Sequence, residues 1–268
     1  MLHVPSGPVP DAAAAVRDDV AGRPLVALGG GRVVDAAKAI GGADGLSVAA
    51  VPTTLSGAEM TPFHRMPAGV DTFRLVRPAL VIADPALMAS QPMPDLAASA
   101  MNAFAHAVEA LYTPLANPVA EMTALRAIES IAGAFEQEEP DRTALALGAL
   151  LAGYASGVTG FAVHHAVCQT IVRVCGTPHA QTNAVMLPHF VEFMAPRAPR
   201  EIGLVRKSVG DVAVLAGKAG VTTLGELGVT DADVPRIMEG VAQRGDIAAN
   251  TPGAPADQEL REVIEAAV

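Results

Sequence analysis

The sequence predicts an α/β portion with a parallel sheet, followed by an all-helical portion. Two observations carry this. Up to about residue 86, short apolar runs bounded by Gly, Pro and Asp are interspersed with a helical pattern, as expected of strands buried on both faces of a parallel sheet. Beyond it, apolar residues recur at helix spacing in long alanine-rich stretches. The expected division is 1–86 and 87–268.

Taken in order, PLVALGGG (24–31) reads as a strand ending in three glycines, and RVVDAAKAI (32–40) as a helix. LSVAAVPTT (46–54) and PALVIADP (78–85) read as two more strands. Helices are expected in DLAASAMNAFAHAVEALYT (95–113), PVAEMTALRAIESIAGAFEQ (118–137) and RTALALGALLAGYASGVTGFAVHHAVCQTIV (142–172). DQELREVIEAAV (257–268) closes the chain as a short amphipathic helix.

Composition narrows the function classes. The 268 residues can bury a sizeable core. With no Trp, two Tyr and seven Phe, that core must come from Ala, Val, Leu and Met. A net charge of −10 argues against nucleic acid as a partner, because such binding needs a basic face. The two cysteines, Cys168 and Cys175, form neither a disulfide framework nor a CxxC motif. No apolar run reaches the roughly 18 residues needed to span a bilayer, and the N-terminus has no signal-peptide pattern. A cytoplasmic protein acting on a small molecule, without nucleic acid or membrane, is the expectation.

Four of the seven histidines fall within GFAVHHAVCQTIVRVCGTPHAQTNAVMLPH (160–189), which points to proton transfer, a metal, or both. AMNAFAHAVEA places Asn102 and His106 four apart on one helix face, with Glu109 three residues on, where it could orient His106 or be solvated. HHAVCQ places His165 and Gln169 four apart on another helix. His179 follows Pro178 at a bend or fresh helix start. In the first portion, the turn Gly29–Gly31 opens a helix whose first N–H groups can cradle a phosphate. Thr53, Thr54 and Ser56 follow the next strand, at the carboxyl end where open α/β sheets bind ligands. His64 is a loop histidine that either reaches the cleft or lies on the surface.

The ordered motifs GGGxxxDxAKA, VPTTxxGxExTP, ADP, NAxAHAVEALY, HHxxC and PHAxxNAVxLPH resemble the iron-containing alcohol dehydrogenase superfamily, specifically its maleylacetate reductase branch. The resemblance covers essentially the whole chain. It implies a Rossmann-like dinucleotide-binding domain, here abbreviated, meeting an all-α catalytic domain of the dehydroquinate synthase-like type. It places the family's three metal-binding histidines on His106, His165 and His179, its aspartate on Asn102, and a further histidine on Gln169. NADH or NADPH would be held by Gly29, Gly30, Gly31, Arg32, Asp35, Thr53, Thr54 and Ser56. His64, Arg65, His164 and Cys168 are candidate substrate contacts. Because Asn102 offers only a neutral carbonyl, which weakens a hard-cation site, the three histidines read as acid/base and oxyanion-stabilising groups, with a weak zinc or iron site as the alternative.

Three departures fall on the cofactor side. The chain starts partway through the family's dinucleotide fold, without the strand that holds the adenosine ribose. Arg32 replaces a small polar residue after the glycines, either pairing with a phosphate or filling its place. The loop HRMPAGVDTFRLVRPAL (64–80) is short and lacks a lysine, leaving Arg65, Arg74 and Arg77 as cations there. Three readings follow: an NAD(P)H-dependent carbonyl reductase, a cofactor-independent acid/base enzyme, and an inactive member serving as a binding or regulatory subunit. The incomplete sheet predicts a homodimer that covers its apolar edge.

Overall fold

The computed structural model describes all 268 residues. Helix α1 (Val9–Val20) precedes strand β1 (Leu25–Gly29), helix α2 (Gly31–Asp44) and strand β2 (Val48–Pro52). A long loop leads to the short strand β3 (Leu80–Val81). The three strands are parallel, in the order β1-β2-β3. Helix α1 lies outside the expected elements, although Pro8 and Pro10 offer helix-start signals. It buries Ala13 and Val20 against Ala36, Ala39 and Ile40 of α2.

The register gives the sheet two unlike faces. Ala27, Val48 and Ala50 point into a small cluster with Val34 and Ala37 of α2. On the other face Val26, Ala49 and Leu80 align in one row, with Leu28 and Val51 paired two residues along. Val26, Leu28, Leu80 and Ile82 are exposed there. A parallel sheet is normally covered on both faces; here one face is open, and β1 is an edge.

The remaining chain is helical: α3 (Pro85–Met88), α4 (Met93–Tyr112), α5 (Pro118–Ala134), α6 (Arg142–Thr159), α7 (Val163–Cys175), α8 (His179–Met194), α9 (Pro199–Val209), α10 (Val212–Ala216), α11 (Val234–Ala242), α12 (Gly245–Asn250) and α13 (Asp257–Glu265). One cluster of 57 buried apolar residues spans this region, against clusters of 6 and 5 beside the sheet. Most apolar burial therefore resides in the helices. Helix α4 is their axis, buried at every position from Leu96 to Tyr112, and its alanines let neighbouring helices approach closely.

Two glycine contacts position the site. A Cβ on Gly153 of α6 would sit 3.0 Å from the Gly57 Cα, so the loop after β2 lies backbone-to-backbone on α6. The continuous helical pattern expected over 142–172 is broken at Gly160, whose φ of +80° suits glycine. Asn250 holds the break by donating from Nδ2 to the carbonyls of Thr159 and Phe161.

Candidate active site

Helices α4 and α7 and the start of α8 bring the histidines together. The His106 and His165 rings stack with centroids 3.9 Å apart and an interplanar angle of 7°. Asn102 Nδ2 lies 3.3 Å from His106 Nε2, and the Ser56 backbone approaches the same ring from the loop after β2. Asn102, His106 and His165 are buried. Buried polar groups normally find partners, yet Asn102 Oδ1, His106 Nδ1 and His165 Nε2 have none. These orphaned atoms make the cluster the candidate site.

Desolvation lowers the His106 and His165 pKa values well below the ordinary histidine range, and the neighbouring imidazoles add to it. Two cations stacked at that distance would repel, so both rings rest neutral near pH 7. His179 opens α8 and keeps much of its surface exposed, but the protein crowding it still lowers its pKa by desolvation. Its Nε2 faces Asn183 Nδ2 at 3.3 Å. Phe161 lies 5.4 Å from His106 and 5.3 Å from His165, and Phe63 lies 4.8 Å from Phe161, all between ring centroids. This aromatic wall escaped the sequence reading, although Phe161 directly follows the helix-breaking Gly160.

Other expected residues sit differently. Glu109 engages His165, not His106: its Oε2 is 2.7 Å from His165 Nδ1. His164 and Cys168 lie behind His165 as a buried network, with His164 Nε2 3.2 Å from the Asn183 carbonyl and 3.6 Å from Cys168 Sγ. Burial pushes the His164 pKa down to about 3 and the Cys168 thiol well up. His64 is buried rather than on the surface, and both its nitrogens are engaged, Nε2 accepting from the Val76 N–H and Nδ1 facing the Arg65 carbonyl. It pins its own loop. Arg65 is exposed. Half-buried Gln169 accepts two bonds from Arg244 at 3.2 Å, and that guanidinium also grips Asp246. Arg244, some 75 residues along the chain, gave no local sequence signal.

On the cofactor side, the glycine turn is a cradle that side chains would fill. A Cβ on Gly30 would meet Thr54 at 2.9 Å, and one on Gly31 would meet Ser56 Oγ at 2.8 Å. Gly29 is fixed next to Thr53, whose N–H donates to its carbonyl. No side chain caps the start of α2, and Thr54 Oγ1 is buried without a partner. Free N–H groups at a helix start and an unpaired hydroxyl fit a phosphate. Arg32 does not point there: its Nη1 donates to the Pro5 carbonyl. Asp35 forms an ion pair with buried Lys38 at 2.7 Å, and Lys38 Nζ also donates to the carbonyls of Ala58, Thr61 and Phe63. Both are structural.

A divalent cation fits the histidines poorly. Parallel rings direct their in-plane lone pairs side by side, so an ion shared by His106 and His165 would lie out of at least one ring plane. Asn102 adds no negative charge. A second group, Glu109, His164 and His165, has donor atoms within 4.8 Å of one another, but these atoms already face one another and the Asn183 carbonyl.

The family description "Fe-containing alcohol dehydrogenase family, C-terminal" matches residues 96–268. Maleylacetate reductase 1 of Rhodococcus opacus is 36% identical over 232 residues, covering 80% of this chain and 65% of its own. The maleylacetate reductase of Sphingobium indicum is 33% identical over 264 residues, covering 94% and 74%. The crystal structure of maleylacetate reductase from Agrobacterium tumefaciens superposes with a TM-score of 0.85 at 28% identity, over 96% of this chain and 78% of that one. Two curated relatives are matched over 65% and 61% of their length, so the chain spans just under two thirds of each. No single helix is long and apolar enough to cross a membrane. By motif order, matched length and fold, the chain belongs to the iron-containing alcohol dehydrogenase family, in its maleylacetate reductase branch.

Proposed function

We propose that this chain is a maleylacetate reductase-like enzyme that reduces the carbonyl of a small, carboxylated substrate with NAD(P)H and without a metal. The observation that carries the reading is the joining of two half-sites by one loop. The segment Thr53–Ser56 lines the glycine cradle with Thr54 and Ser56 and brings the Ser56 backbone up toward the His106 ring. NAD(P)H, when bound, supplies the hydride. Gly30, Gly31, Thr54 and the first N–H groups of α2 hold its pyrophosphate. Phe63 and Phe161 wall one side of the histidine face. The histidine pair serves the oxygen: a proton passes from His165 or His179 to the developing alkoxide, and the second N–H of Asn102 Nδ2, the one not facing His106, stabilises its charge. The desolvated rings disfavour a resting imidazolium, so the proton is released readily once alkoxide forms.

A cofactor-independent acid/base enzyme is the second reading. It is favoured by the diversion of Arg32 to the Pro5 carbonyl, away from the glycine cradle. Calorimetric titration with NADH and NADPH, followed by assay of nicotinamide oxidation with maleylacetate, separates the two. Micromolar binding with substrate-dependent oxidation supports the reductase; no binding at millimolar cofactor refutes it. We further propose a cytoplasmic homodimer that covers the open sheet face; light scattering showing a monomer at micromolar concentration would refute that assembly.

A further inference from the structure

Glu109 was expected beside His106, and its actual placement assigns it two tasks. It lies on α4, buried, and reaches the first turn of α7. Helix α7 has no capping side chain of its own: its N-cap position is Ala162. Glu109 Oε1 accepts the backbone N–H of His165 at 3.1 Å, the third residue of that helix. It thus satisfies one of the orphan donors that a helix start leaves. The second oxygen, Oε2, faces Nδ1 of the same residue's ring at 2.7 Å.

The neighbours fix the ring's tautomer. A backbone carbonyl only accepts, so His164 Nε2, facing Asn183 O, carries the hydrogen, and His164 Nδ1 carries a lone pair. That lone pair faces His165 Nδ1 at 3.4 Å. His165 Nδ1 therefore meets a carboxylate oxygen on one side and a lone pair on another, and both require a proton on it. Its Nε2, buried and without a protein partner, is left with the lone pair.

We propose that Glu109 is a positioning residue: it caps α7 from another helix and, with the same carboxylate, holds His165 as the Nδ1–H tautomer, presenting Nε2 to the cleft as a proton acceptor. This deepens the reductase reading and rests on it for its consequence. In that reaction Nε2 takes a proton from solvent and passes it to the alkoxide. Glu109 stabilises the imidazolium between those two events without itself changing protonation, as a buried carboxylate does behind a catalytic histidine.

The test is Glu109→Gln, read by nitrogen NMR of histidine-labelled protein, with His165→Gln to assign the signal. Glutamine still offers Oε1 to the His165 N–H, so the cap survives. Its NH₂ then faces Nδ1 from the 2.7 Å position and outweighs the more distant His164 lone pair at 3.4 Å, which flips the ring to Nε2–H. The expected result is Nδ1–H in the wild type, Nε2–H in Glu109→Gln, and a nearly unchanged unfolding midpoint. On active enzyme, kcat falls on the order of 10²–10⁴-fold while KM stays within about threefold, because substrate binding keeps its contacts. An Nε2–H tautomer in the wild type, or an unchanged tautomer in the variant, overturns the proposal. The wild-type spectrum alone decides if the variant does not fold. The tautomer is read without substrate or cofactor, so an absence of reductase activity refutes the function proposed above and leaves this assignment standing.

Discussion

Replacing Glu59 by glutamine should remove a pH dependence of stability. Glu59 lies in the loop after β2, is 1% exposed, and its carboxylate has no hydrogen-bond partner on another residue. Burial pushes its pKa up to about 7 from the ordinary 4.5, with its own backbone N–H and Lys38 opposing. Between those values the folded protein binds more protons than the unfolded chain, so stability falls as pH rises through the window. The gap is worth on the order of 3 kcal/mol once both states are ionised. Glutamine mimics the protonated acid at every pH. The two proteins should therefore match near pH 4.5, and the variant should be more stable by about 3 kcal/mol near pH 8. Urea unfolding of both proteins at pH 4.5, 6, 7 and 8 measures this. The buried histidines contribute the opposite slope, since their depressed pKa values favour the fold as pH rises, and they cancel in the difference. Parallel stability curves across the window would refute the reasoning.

Further expectations rest on single contacts. Lys38→Met should cost about 3–5 kcal/mol in urea unfolding, because Asp35 and three carbonyls lose their cation; a loss below about 1 kcal/mol contradicts a structural role. Gly153→Ala forces a Cβ against the Gly57 backbone and should destabilise by about 1–3 kcal/mol. Gly133→Ala, at an exposed position of α5 where a Cβ meets nothing within 4 Å, should instead gain about 0.4–1 kcal/mol. His164→Gln should be less stable than the wild type at pH 7. That gap should narrow as pH falls through 6.5, since the wild type must then protonate a ring with a pKa of about 3. A gap that stays constant down to pH 4 removes His164 from the acid sensitivity.

The strands, the glycine turn and the long helices were legible because each writes its pattern within a few residues. The run LVALG ends where Gly29–Gly31 begin, and α4 shows apolar residues on every face because it is buried all round. Helix α1 was missed because its run of four alanines, Ala12 to Ala15, carries no apolar–polar alternation of its own. The break at Gly160 was missed because the apolar pattern runs straight across it. Within the site, spacing alone paired Asn102 with His106. It could not reveal that Glu109 turns across to α7, that Arg244 takes Gln169, or that His64 folds inward. These are contacts between residues 12 to 75 positions apart, set by helix packing rather than local pattern.

The aromatic wall has a consequence for observation. Phe63 is carried by the loop after β2 and Phe161 by the α6–α7 break, and their rings meet over the stacked imidazoles. Ring currents fall off steeply with distance, so the carbon-bound protons of His106 and His165 act as a ruler between the two halves of the molecule. A shear that slid the sheet side along α6 would shift those resonances before any helix unwound. The chain carries no tryptophan, so these few rings form an internal probe of cleft closure with little competing aromatic signal.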